Sequence, residues 1–307
     1  MKRLQNRIAT SRKSLPVTVV YSLLVSLAAG LATESMWLNF ALLLASTVMM
    51  ADLNNSNALI RIYSRMVSCS FLVMTSMSLF LFRTTAVAVV QITFITFLLF
   101  LLRTYQDPDA SGQTFYAFCA LGISSVVFPH VLLFLPALWV LMAVYVQSFS
   151  PRTFFSSILG ILAPYWFVTA WLIYSGQTAW LGAHFQSVLQ FDKPFSTVGV
   201  RLHEWLTFGF VFLCALIGGT YFLIFSYQDR IRVRMIYELF IVLDSLTMFF
   251  ALIQPQHFDG LLGMAIVLTA PLIGHWIALT NSRLSNIVSI ALFFIALALT
   301  AFNLLGT

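Results

Sequence analysis

Charged residues are scarce in this sequence. Asp, Glu, Lys and Arg together make up 8% of its 307 residues, whereas a soluble domain normally contains about 25% charged residues. Because so few charges cannot cover a surface that faces water, the composition excludes an ordinary soluble domain. Nucleic-acid binding is disfavoured as well, since no basic face or aromatic platform lies outside the apolar segments.

Cysteine is also rare. Cys69, Cys119 and Cys214 each lie inside an apolar run, without paired spacing. Disulfide frameworks and cysteine metal sites depend on such spacing, so we expect the three thiols to pack as small hydrophobic side chains. No loop has the His-x-x-x-His spacing of a helical metal site. The sequence therefore predicts no metal and no cofactor.

Apolar residues dominate the composition instead. They form 60% of the chain, and 30 of them are Phe. A helix needs about 20 residues to span a membrane, so ten or eleven crossings fit. We predict an all-α polytopic transmembrane helix bundle of about 11 spans, with residues 1–14 as a basic cytoplasmic segment and residues 15–307 as a single transmembrane domain. Its expected partners include membrane lipids, because a net charge of +6 suits anionic head groups.

The predicted spans are separated by short polar connections. They lie at residues 15–32, 36–51, 66–82, 84–102, 115–128, 131–147, 153–174, 204–226, 235–253, 260–279 and 286–305. The fifth is the shortest and resembles a half-helix, so the sequence leaves open whether it crosses fully. The longest connection, at residues 175–203, carries one apolar face and is predicted to lie flat on the membrane surface.

The basic residues predict how the chain is threaded. With a cytoplasmic N-terminus and eleven crossings, thirteen of the sixteen Lys and Arg residues face the cytoplasm. Only Arg83, Lys193 and Arg201 then lie outside. Since cytoplasmic loops of membrane proteins are enriched in Lys and Arg, this bias supports both the orientation and the number of spans. The C-terminus and the 175–203 connection are predicted on the outer side.

Four of the five histidines and four of the ten acids fall on that outer side. Such residues are the raw material of acid–base chemistry and of polar ligand sites, although loops of any membrane protein also collect polar residues. The candidate catalytic acids are Glu34, Asp192 and Asp259. The candidate substrate-binding residues on this side are His130, Arg201 and His257.

Asp244 is the acid nearest the middle of the membrane. Because a charge there costs at least about 2.5 kcal/mol, we expect its side chain to face the protein, either as a substrate-binding residue or in a structural hydrogen bond. Prolines 129, 164 and 255 predict breaks in or at the ends of helices. Broken helices carry the binding sites of many transporters, which adds Tyr165 and Trp166 to the candidate binding residues.

One stretch of the chain resembles known proteins. Its residues are FYAFCALGISS at 115–125, Phe128-Pro129, Pro151-Arg152-Thr153 and GILAPYW at 160–166. They resemble an uncharacterised family of multispanning inner-membrane proteins from Bacteroidetes. The order helix, break, helix, arginine and proline-containing helix is also similar to the middle of GT-C glycosyltransferases, which use polyprenyl-phosphate sugars. The resemblance implies a GT-C-like core, a bacterial inner-membrane location with a periplasmic outer side, and a polyprenyl-phosphate-linked substrate.

The chain departs from the GT-C pattern at one position. That pattern places a catalytic Asp in a large first outer loop, whereas here the loop is Thr33–Ser35 and contains only Glu34. No catalytic Asp can be transferred, so enzymatic turnover is not predicted. Three hypotheses follow: a GT-C-like protein that binds a lipid-linked sugar or another polyprenyl lipid at its outer face, a lipid or solute transporter that uses Asp244 and the broken helices, and a non-catalytic scaffold or subunit of a cell-envelope assembly.

Overall fold

A computed structural model describes residues 3–191, 194–195 and 200–306, and the described residues contain no β-strand. The predicted all-α fold is confirmed. The α-helices of the described chain are α1 (Leu4–Ala9), α2 (Ser14–Ala28), α3 (Trp37–Asn57), α4 (Met66–Met77), α5 (Leu79–Phe82), α6 (Thr85–Leu101), α7 (Ser111–Val127), α8 (Leu135–Leu141), α9 (Pro151–Tyr174), α10 (Ala179–Val188), α11 (Leu202–Phe225), α12 (Ile231–Ile253), α13 (Phe258–Leu279) and α14 (Arg283–Gly306).

Eight helical segments of the described chain are long and apolar enough to cross a membrane, so the protein is a multi-pass membrane protein by length and composition. They are Trp37–Asn57, Thr85–Thr104, Pro129–Val146, Pro151–Tyr174, Leu202–Gln228, Ile231–Ile253, Pro255–Leu279 and Arg283–Gly306. Two further apolar helices, α2 and α4, are shorter. Helix α7 has 17 residues, and it begins four residues before the predicted fifth span.

The prolines affect the helices in two ways. Helix α7 ends at Val127, and a 3₁₀ turn over Pro129–Phe134 leads into α8, as expected for a residue without a backbone N–H. By contrast, α9 is continuous through Pro164, so the predicted interruption there is wrong. A proline removes only one hydrogen bond from a helix, and neighbouring helices and local adjustments compensate for that loss in a membrane protein.

Hydrogen bonds between distant connections define two ends of the bundle. At one end the bonded pairs are Arg61 with Gln228, Asn6 with Thr280, and Gln106 with Val146. We call this the arginine-rich end, because it also holds Arg103, Arg152 and the 230–234 segment. At the other end, which we call the cavity end, the contacting pairs are Glu34 with Arg83, His130 with Ser187, and Gln256 with Gln190. Successive long helices run alternately between these two ends.

Helix α13 forms the centre of the bundle. It is buried along almost its whole length and packs against α4, α6, α11 and α12. Glycine allows two of these close approaches. A Cβ atom on Gly274 would lie 3.0 Å from the backbone nitrogen of Val67, and one on Gly218 of α11 would lie 2.5 Å from the carbonyl carbon of Leu272. The remaining helices surround α13, and α9 packs at one side against α7.

Candidate functional site

A cavity of about 660 Å³ lies at the cavity end, where α6, α7, α11 and α13 meet. This volume falls within the range of small-molecule binding sites. Its polar lining residues are Thr84, His130, Ser187, Glu204, Gln256, His257 and Asp259, and its apolar ones include Val87, Val90, Phe128, Pro129, Pro255 and Phe258. A second pocket, between Asn39, Thr75 and Gln91, measures about 10 Å³ and has space for one water molecule at most.

Two proline breaks build one wall of the cavity. Pro129 begins the 3₁₀ turn after α7, and Pro255 begins a similar turn between α12 and α13. Each proline is followed within two residues by a histidine, and the rings of His130 and His257 stack with their centroids 3.4 Å apart. Phe128 lies against both imidazole rings. The two histidines that the sequence selected therefore converge.

The hydrogen bond of His130 fixes its tautomer. Its Nε2 lies 3.1 Å from the backbone oxygen of Ser187 in α10, and a carbonyl oxygen can only accept, so Nε2 carries the proton. In the neutral ring Nδ1 is then an acceptor. That atom is buried and has no hydrogen-bond partner. A buried acceptor without a donor costs about 1–3 kcal/mol, so a rearrangement of the His130 ring that brought Nδ1 to a ligand donor would be stabilising.

Two carboxylates lie in first helical turns beside the cavity, where the helix dipole favours negative charge. Glu204 of α11 uses Oε2 to accept a hydrogen bond of 2.8 Å from the backbone of Arg201, and its Oε1 is 3.9 Å from Nε2 of His203. Asp259 of α13 makes no hydrogen bond or ion pair with any described residue. Its carboxylate is therefore available to a ligand.

The lining is rich in acceptors and poor in available donors. Ser187 donates its hydroxyl to the backbone of His184, and Gln256 donates its amide to Gln190 and Gln254. No Lys or Arg is found among the described residues that line the cavity. The ionisable acids of the described lining are Glu204 and Asp259.

Helix α10 covers the cavity end and is held there by His184. Nε2 of His184 lies 3.1 Å from the backbone oxygen of Ser125 and 3.2 Å from the hydroxyl of Tyr165, and Trp180 stacks on the ring. Burial lowers the pKa of His184 below its ordinary value, and the hydrogen bond to Ser125 offsets this only in part. The anchor is therefore a neutral imidazole at physiological pH. Tyr165 belongs to this anchor and does not line the cavity.

The other predicted site residues lie elsewhere. Trp166 is 79% exposed on the outer surface of α9. Glu34 pairs with Arg83 at 3.5 Å, and Arg201 begins α11 without lining the cavity. Asp192 falls outside the described residues. The structure thus brings His130, His257 and Asp259 together and leaves the remaining candidates apart.

Asp244 is buried away from the cavity, with only 2% of its surface exposed. Its Oδ2 accepts a hydrogen bond of 2.8 Å from Thr269 of α13, while Oδ1 is buried without a partner. The hydrogen bond to a neighbouring helix is the structural alternative that the sequence left open. It joins α12 to the central helix.

Several lining residues, among them Glu204 and Ser187, were not selected from the sequence. Glu204 had a usable signal, because it is an acid in the first turn of a span on the outer side. Ser187 contributes its backbone oxygen to His130, and no side-chain pattern indicates such a role. No group of three or more His, Cys, Asp and Glu residues within the described chain is arranged to hold a metal ion.

Comparison of the chain with protein-family models, with curated protein sequences and with solved structures finds no match. The resemblance to GT-C glycosyltransferases therefore stays a prediction.

Proposed function

We propose that this protein is an eleven-span membrane protein that binds an amphipathic ligand, a lipid with a polar head group, in the cavity at its outer end. The observation that carries the proposal is the lining of the 660 Å³ cavity, in which hydrogen-bonding groups lie next to valine, proline and phenylalanine side chains. A purely polar solute would leave these apolar walls unused, and a purely apolar one would bury Asp259 without a partner.

The alternation of the helices supports eleven spans. The connections that flank α2, the α4–α5 pair and α7 lie at opposite ends of the bundle, as they do for the eight longer segments. Helix α2 has 15 residues and is about 22 Å long at 1.5 Å per residue. That is less than the roughly 30 Å of a typical hydrocarbon core, and local thinning of the bilayer accommodates such a difference.

The distribution of charge supports the orientation. The basic residues cluster at the arginine-rich end, which the positive-inside rule places in the cytoplasm. The cavity end is then the outer side, which is the periplasm in the proposed bacterial inner-membrane location. Because the cavity adjoins α7 and the Pro129 turn, it lies beside the residues that resemble GT-C proteins.

This resemblance favours a lipid-linked sugar or another polyprenyl lipid as the ligand. Sugar hydroxyls can donate to the free acceptors of His130 and Asp259. Recognition of a phosphate gains no support from the described lining, which lacks Lys and Arg. Catalysis is not part of the proposal, because the first outer loop has no Asp to match the GT-C pattern, and its Glu34 pairs with Arg83 outside the cavity.

The two other hypotheses have less support. A transporter that uses Asp244 needs this residue beside water, yet its carboxylate packs against Thr269 between two buried helices. No particular contact favours a scaffold, since membrane lipid alone accounts for the exposed apolar side chains of α9 and α14.

The proposal can be tested with an alkyl maltoside that carries a photoreactive diazirine in its chain. The protein is held in a non-ionic amphipol, so that no lipid head group competes. We expect cross-links at residues 127–130 and 255–260. In the variant Ala86→Trp, a bulky ring replaces an exposed methyl group that lines the cavity, and we expect this labelling to fall at least about tenfold.

The matched control is Ala301→Trp, at an exposed position of α14 that does not line the cavity. It should leave the labelling unchanged. Cross-links spread evenly over the exposed faces of α9 and α14, and insensitive to Ala86→Trp, would contradict the proposal.

A further inference from the structure

The hydrogen-bonding groups of the cavity also indicate the charge of its ligand. Building on the proposed function, we infer that the head group bound in this cavity carries a primary ammonium group. Its source is either a membrane lipid or a free amine, since both present the same chemistry to the cavity.

The hydrogen-bond acceptors of the cavity outnumber its available donors. The Asp259 carboxylate has no partner among the described residues, Oε1 of Glu204 has only His203 at 3.9 Å, and Nδ1 of His130 is buried without a donor. A distance of 3.9 Å is too long for a hydrogen bond. A primary ammonium group has three N–H donors and no acceptor, which complements two carboxylates at the cavity wall and a lining with few available donors.

The two carboxylates of the lining also favour a cation. Asp259 and Glu204 are close enough to repel each other, and no Lys or Arg among the described lining residues offsets them. Partly buried charges interact more strongly than charges in water. A cationic head group relieves this repulsion, whereas an anionic head group adds to it. A sugar with hydroxyl groups alone satisfies acceptors but leaves the charge of the two carboxylates uncompensated.

The aromatic wall of the cavity favours a cation as well. The ring of Phe128 lines the cavity and is partly exposed, and the faces of aromatic rings attract ammonium groups. A metal ion fits less well, because no set of three His, Cys, Asp and Glu ligands is arranged for one in the described chain. The combination of carboxylates and a phenyl ring therefore selects an organic cation.

The test is a competition against the neutral diazirine probe in the non-ionic amphipol. The competitors share one alkyl chain and differ in the head group: dodecylammonium, dodecyl maltoside and dodecyl phosphate. We expect dodecylammonium to halve the cavity labelling at a concentration at least about tenfold lower than dodecyl maltoside, and dodecyl phosphate to be the weakest.

In the variant Asp259→Asn, the advantage of dodecylammonium over dodecyl maltoside should disappear. The matched control is Asp52→Asn, because Asp52 is an acid of α3 far from the cavity and hydrogen-bonded to Ser56. The Asp52→Asn variant should still bind dodecylammonium better than dodecyl maltoside. As a second measurement, dodecylammonium should raise the thermal unfolding midpoint of the unaltered protein but not that of Asp259→Asn.

Two additional competitors distinguish a free amine from a membrane lipid as the source of the ammonium group. Competition by butylammonium, which has almost no chain, indicates a free amine, and competition by lysophosphatidylethanolamine alone indicates a lipid head group. Either result supports the inference.

If the probe labels the cavity but dodecyl maltoside, dodecyl phosphate or Mg²⁺ competes as well as dodecylammonium, the ammonium inference is wrong and the proposed function stands. If the probe does not label the cavity, the proposed function fails. The thermal measurement then tests the ammonium inference separately. If dodecylammonium does not raise the unfolding midpoint of the unaltered protein, this inference fails as well.

Discussion

Two acids of the arginine-rich end and one acid of the cavity wall differ in whether a protein group pairs with them. At the arginine-rich end, Asp229 lies 3.2 Å from Nε2 of the buried His275, and Asp109 lies 2.8 Å from Arg152. At the cavity end, Asp259 has no partner among the described residues, and Nδ1 of His130 has none either. Both ends also contain paired groups, such as Glu34 with Arg83 at the cavity end, and buried polar atoms without a partner, such as Nδ1 of His275 at the arginine-rich end. The difference lies in Asp259, whose unpaired carboxylate lines a cavity of about 660 Å³.

This difference teaches how to separate structural from functional polar residues in such a chain. Buried polar groups are normally hydrogen-bonded, and each exception lowers stability. A paired acid such as Asp229 is explained by the connection that it holds. Asp259 is exposed at the cavity wall, so its unpaired carboxylate is solvated without a ligand and remains accessible to one.

The largest effect is expected from filling glycine positions. A Cβ atom on Gly218 would meet the backbone of Leu272, whereas the atoms nearest to one on Gly260 belong to the ring of Phe128, a side chain beside the cavity. We expect Gly218→Leu to lower the free energy of unfolding by about 3 kcal/mol or more, and Gly260→Leu to lower it clearly less. Denaturant titration monitored by tryptophan fluorescence measures both.

The control on the same helix is Gly209→Leu, because no atom lies within 4 Å of a Cβ atom there. Its effect should stay within about 0.5 kcal/mol. A Gly260→Leu variant as unstable as Gly218→Leu would show that the cavity end is packed as rigidly as the rest.

A moderate effect is expected from removing one acid at each end. Asp229→Ala leaves the imidazole of His275 buried without its partner, so we expect a loss of about 1–3 kcal/mol. Asp259→Ala breaks no hydrogen bond and removes repulsion with Glu204, so the unfolding free energy should be unchanged or higher. Equal destabilisation by the two variants in thermal unfolding would remove the distinction between the ends.

The smallest effect is a pH dependence at the anchor of α10. Because burial lowers the pKa of His184, the unfolded chain takes up this proton at a higher pH than the folded protein. Stability is therefore lost as the pH falls through the ordinary histidine pKa of about 6.5. We expect the unfolding midpoint of His184→Gln, which can still donate to Ser125, to decrease less between about pH 7.5 and about pH 5.5 than that of the unaltered protein. A decrease of the same size in both proteins would contradict this role of His184.

Much of the helical framework could be predicted from the sequence. Apolar runs separated by short polar connections predict helices in a membrane, and every predicted span overlaps a helical segment. Pro129 ends its helix as expected. Pro164 does not, because the loss of a single hydrogen bond is small beside the packing of α9 on α7. Whether all eleven segments cross the membrane stays a prediction.

The arrangement of the helices could not be predicted. Nearly all are apolar, so hydrophobicity does not distinguish a face against protein from a face against lipid. The central position of α13 depends instead on small residues such as Gly263 and Gly274, which permit close contact. In the site, His130, His257 and Asp259 were selected by their predicted side of the membrane. Which of the outer connections meet is decided by the packing of distant helices, and this separated Glu34 and Arg201 from the others.

We propose that the cavity faces outward and holds an amphipathic cation at the end opposite the arginines. The most direct measurement uses single cysteines in a chain without Cys69, Cys119 and Cys214, treated with a membrane-impermeant maleimide in right-side-out vesicles. We predict that Ala86→Cys at the cavity is labelled in sealed vesicles and protected by dodecylammonium, while Tyr227→Cys at the arginine-rich end is labelled only after permeabilisation. Labelling of Tyr227→Cys in sealed vesicles, with Ala86→Cys unlabelled, would contradict the account.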